Sequence, residues 1–115
     1  MLDSFSGVKN IIVQPNTNGA TYTFTFSVCS SATANDGFLP YGETISSVAV
    51  TAHTESGTDA TSSLITGIPT VSSNVVTVRL KYPSAVGTYH LQFVLTLASG
   101  GIEEADFNRV ISQNL

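Results

Sequence analysis

The sequence has no tryptophan, one methionine, one cysteine and four basic residues among 115. A lone cysteine, Cys29, excludes an internal disulfide, so a fold of this chain is held by burial and hydrogen bonding alone. Four Lys and Arg stand against eight Asp and Glu, for a net charge of −4. Phosphate recognition needs clustered cations, so no nucleic-acid partner is expected. No apolar run approaches the roughly 18 residues of a membrane span, and no membrane partner is expected. The opening residues MLDSFSGVKN lack a basic stretch followed by an apolar one, so no signal peptide is expected and synthesis in the cytoplasm follows. Charged residues make up 10% of the chain, against roughly 25% in an ordinary globular domain. A surface so poor in charge is one that a partner can cover at little desolvation cost.

What fills the sequence instead is serine and threonine, thirty residues in all, many alternating with apolar residues. That pattern suits strands with one wetted face. The length is that of one domain and is enough to bury a core. We read residues 1–7 as a loose lead-in, 8–112 as a single domain and 113–115 as a tail.

The alternation is clearest in residues 74–97, NVVTVRLKYPSAVGTYHLQFVLTL. Val76, Val78, Leu80 and Tyr82 share one face of a first strand, and Tyr89, Leu91, Phe93, Leu95 and Leu97 one face of a second. Residues 21–29, TYTFTFSVC, place Tyr22, Phe24, Phe26 and Val28 on one side of a third. Further strands are expected over 8–14, 43–51, 62–66 and 102–111, with a bulge near Ser46 and Ser47 where the apolar phase slips. Residues 52–61 read as a polar loop or a frayed edge, and Gly67-Ile68-Pro69 as a turn. Gly87-Thr88-Tyr89 opens its strand as a tyrosine corner opens the sixth strand of an immunoglobulin sandwich. These signals predict an all-β protein, a seven-stranded antiparallel Ig-like or fibronectin-like β-sandwich with essentially no helix.

Side chains that could do chemistry are few and scattered. Cys29 ends an amphipathic strand and reads as a small packed residue. His53 falls in the polar stretch and His90 on the outer face of a strand. Two isolated histidines without a close second ligand make a poor zinc site, since a structural site uses four N or S ligands. Glu103, Glu104 and Asp106 cluster in the last strand, with Glu104 and Asp106 on one face, but the oxygen set and spacing of a calcium loop are absent. Arg79 and Lys81 read as charges on a solvated face. No Ser, Cys or His lies in a nucleophile signature. We expect no catalytic residue, no cofactor and no metal, and hence no enzyme. The feature that stands out is the loop 30–42, where Phe38, Leu39 and Tyr41 either cap the end of the sandwich or bind a partner, because aromatics are enriched at interface hot spots.

Residues TYTFTFSV, YGETISSVAV and NVVTVRLKYPSAVGTYHLQFVLTLASGGIEEADFNRVI, roughly 20–112 in extent, together resemble a family of small virion proteins of tailed bacteriophages and prophages. The shared marks are Gly42-Glu43-Thr44-Ile45, Gly87-Thr88-Tyr89, and Ser99-Gly100-Gly101 leading into a last strand with Arg109. Where that family carries a tryptophan after Gly-Glu-Thr-Ile, this chain has Val48-Ala49-Val50. The resemblance implies an Ig-like structural protein of the neck, head–tail connector or particle surface. Its partners would be other phage virion proteins, with a homo-oligomer as one arrangement, and its location the virion. It carries over no catalytic or binding residue. The alternative from the residues alone is an extracellular Ig-like binding module, an adhesin or carbohydrate-binding sandwich.

Overall fold

The computed structural model describes residues 10–114. Its elements, in order, are β1 (Ile11–Val13), β2 (Asn18–Thr25), β3 (Ile45–Thr54), a single helical turn α1 (Thr61–Leu64), β4 (Ile65–Ser72), β5 (Val75–Lys81), β6 (Gly87–Leu97) and β7 (Ile102–Ser112). The expected lead-in 1–7, and residues 8 and 9 of the expected first strand, lie outside the described residues.

The strands form two sheets, β1-β7-β6-β3 and β2-β5-β4. This is the strand distribution of an Ig-like sandwich, with a C-F-G sheet facing a B-E-D sheet. All pairs are antiparallel except β1 with β7, which run parallel through Ile11–Val13. Alternation decides the packing. Along β6 every second residue from Tyr89 to Leu97 is buried, and Val76, Val78 and Leu80 of β5 face it across the core.

Sandwiches of this class often tie their sheets with a disulfide packed on a tryptophan. With neither available, phenylalanines span the same gap. Phe24 on β2 lies 4.9 Å from Phe93 on β6 and 5.4 Å from Phe107 on β7. Phe26 lies 5.6 Å from Phe93. Tilted and edge-on arrangements at these distances add favourable quadrupole contacts to the area they bury.

The Gly-x-Tyr motif is realised as expected. Tyr89 is buried, and its hydroxyl donates to the Ala85 carbonyl at 2.8 Å, pinning the crossing from β5 to β6. Burial, and then the nearby Tyr82, push the Tyr89 phenol above its ordinary pKa. The expected bulge is present as well, as a register shift between Ile45 and Ser47 where β3 pairs with β6.

Three expectations are corrected. Gly67-Ile68-Pro69 is not a turn but a bulge inside β4, where the register jumps between Thr66 and Thr70. Gly67 takes φ +74° there, and Ile68 projects 89% exposed. Pro69 is tolerated because β4 is an edge strand, whose outer N–H positions need no partner. The expected strand over 62–66 begins instead as α1, because Asp59 Oδ1 accepts the Thr61 N–H and hydroxyl and Ala60 O accepts the Leu64 N–H. Finally, β3 runs through His53 to Thr54, so His53 lies in a strand and not in a loop.

Candidate functional site

The connection from β2 to β3 is the longest in the described chain, and it is not loose. Leu39 N–H donates to Ser27 O and Cys29 N–H to Leu39 O, both at 2.9 Å, folding residues 27–39 back on themselves. Cys29 is buried, with its thiol 3.6 Å from Gly37 O. At the tip, Asp36 takes the Ser30 N–H at 2.9 Å and the Ser30 hydroxyl at 2.7 Å. Those bonds, the hydroxyl's foremost, hold the Asp36 carboxyl below its ordinary 3.8.

A depressed carboxyl contributes stability above the unfolded-state pKa of about 3.9, and loses it as pH falls through the folded value. The melting-temperature gap between wild type and Asp36→Ala is therefore expected to be constant near neutrality. It should narrow below about pH 4. Thermal unfolding from pH 7 to 2 measures it, and a gap independent of pH would remove Asp36 from the loop's closure.

The three loop residues singled out from the sequence part company in the structure. Leu39 is fully buried and belongs to the core. Phe38 is half-buried, its ring 5.6 Å from Phe26. These two cap the end of the sandwich. Tyr41 is 59% exposed and stands clear. Beside it the Ser99 hydroxyl donates to the Glu43 carboxylate, and Ala98 N–H to Thr44 O. The β2–β3 loop and the β6–β7 turn are thereby joined into one tip, from which β7 starts with Ile102, 66% exposed. A braced tip with an exposed aromatic is suited to docking, since little entropy remains to be lost on binding.

The outer face of the four-stranded sheet carries the other polar groups. Gln92 Nε2 donates to Glu104 Oε1 at 3.4 Å, and His90 Nδ1 lies 3.3 Å from Asp106 Oδ2. His53 of β3 stands directly opposite His90 of β6. Sequence reading separated these two because the partner strand of 52–54 could not be read from a polar stretch. The only signal for their meeting was the apolar phase of β3, which, continued through Ala52, places His53 outward. Among the described residues no group of three or more His, Cys, Asp or Glu is placed to hold a metal ion. Arg79, expected on a solvated face, is exposed and donates from Nε to Gly19 O at 3.2 Å.

Set against known proteins, the chain matches no family model and no curated protein. What fold and site define together is a class: an Ig-like sandwich with a braced, aromatic-bearing tip.

Proposed function

We propose that this chain is a non-catalytic structural protein of a phage or prophage particle. It docks through its loop tip onto other virion proteins near the head–tail connector or on the particle surface. The observation that carries this reading is the 59% exposure of Tyr41 on a tip where Leu39 is buried and Glu43 and Thr44 are hydrogen-bonded. Tyrosine is favoured at interface hot spots because it offers a large, rigid contact with one polar end. The low charge of the chain and the resemblance of roughly residues 20–112 to small virion proteins point the same way.

The test is assembly in a host supplying Tyr41→Ser in place of the wild-type chain. The variant should stay within about 0.5 kcal/mol of wild-type stability, as surface changes do. Its copy number in purified particles is expected to fall several-fold. Undiminished incorporation would exclude the tip as the docking surface. Recovery of the wild-type chain on a cell surface or bound to glycan, and not in particles, would favour an extracellular binding module, in which Tyr41 stacks on a sugar.

A further inference from the structure

We infer that His53 and His90 together form a binding site for a divalent first-row transition-metal ion on the outer face of the four-stranded sheet. The site lies at the other end of β3 from the docking tip. Eight residue steps lead from Ile45 to His53, roughly 27 Å of strand at 3.4 Å each.

The backbone brings the two rings together. His53 and His90 are direct partners in the β3–β6 register. Their neighbours Ala52, Tyr89 and Leu91 are buried, so both imidazoles leave the sheet on its outer side. Ala52 uses its carbonyl for Ala60 N–H and its N–H for Thr61 Oγ1, and Thr54 N–H goes to Thr58 O. The backbone groups of His53, between them, are therefore turned to β6. Directly opposed residues have Cβ atoms about 4.5–5.5 Å apart, a span that lets two imidazoles converge on an ion at roughly 2.0–2.1 Å from each nitrogen.

The surroundings support ligation. Asp106 Oδ2 sits 3.3 Å from His90 Nδ1, which leaves Nε2 for the ion. A carboxylate behind a ligating histidine fixes the ring and raises its basicity. On β7 the register steps from Val110, opposite Tyr89, to Phe107, opposite Leu91, so Asn108 and Arg109 together face His90. A bulge at that point breaks the regular ladder and re-aims the side chains around it. On the far side, Asp59 pairs with His53 in an antiparallel bridge, its carboxylate held by Thr61. The row Asp59, His53, His90, Asp106 thus crosses the sheet with two imidazoles between two carboxyl groups. Two imidazoles select borderline ions, so Cu2+, Ni2+ and Zn2+ fit and Ca2+ and Mg2+ do not. Water fills the remaining positions.

Titration calorimetry with NiCl2 on the purified chain is expected to give one ion per chain. His53→Gln and His90→Gln should each weaken binding at least tenfold, and Asp106→Asn by about 10- to 100-fold, as loss of a carboxylate behind a ligand does. ZnCl2 added to the wild-type chain should shift the ring resonances of both histidines together in proton NMR. Equal Ni2+ affinity in the double His→Gln variant, or a Zn2+ response from one ring alone, would overturn the site.

Discussion

Phe93→Ala is expected to destabilise the domain by about 3–5 kcal/mol, the cost of removing a buried aromatic side chain and leaving a cavity behind it. Phe93 is fully buried near the middle of β6, with its ring 4.9 Å from Phe24 and 5.6 Å from Phe26 on the facing sheet. No disulfide crosses the sandwich, so these rings pack across a gap that no covalent bond spans. The cavity would lie between sheets whose hydrogen-bonded strands cannot easily close on it. Urea unfolding measures the loss. A cost below about 1 kcal/mol would mean that the phenylalanines are not the clasp of the sandwich.

The second large effect is expected at Gly37, from a backbone approach and not from a missing side chain. A Cβ placed there would lie 2.5 Å from both Cys29 N and Val28 C. Backbone atoms cannot rotate away as a side-chain tip can. Gly37→Ala must therefore push apart the segment closed by the Cys29–Leu39 and Leu39–Ser27 hydrogen bonds. Overpacking of this kind costs about 1–3 kcal/mol. The Cys29 thiol should also become reactive to a thiol reagent at a rate the wild type does not show. Gly101→Ala is the control, since a Cβ there meets only side-chain atoms at 3.8 Å and beyond. If both variants behave alike, the loop is not packed as described.

The sandwich was legible where alternation was strong and each strand had one apolar row. Residues of β5 and β6 declared their inward faces, and Gly87-Thr88-Tyr89 declared the corner. The phase slip at Ser46 and Ser47 declared its bulge. Failures came where tertiary pairing overrode local signals. Gly67 and Pro69 read as a turn because those residues break most strands, yet an edge strand accepts both at a bulge. Residues 52–54 read as loop because His53 and Thr54 are polar and Ala52, the one apolar residue among them, is small. That misreading hid the meeting of His53 with His90, which depends on a partner strand far away in sequence. In the loop 30–42, sequence gave Phe38, Leu39 and Tyr41 as one apolar group. The backbone bonds that bury Leu39 and leave Tyr41 outside depend on Ser27, Cys29 and Gly37, whose contribution comes from geometry and not from hydrophobicity.

The most direct test of the central claim is quantitative mass spectrometry of purified particles produced from the genome that encodes this chain. The chain is expected at a fixed copy number per particle, retained through gradient purification and high-salt washing. Its absence from particles that retain their full set of other structural proteins would contradict a virion role.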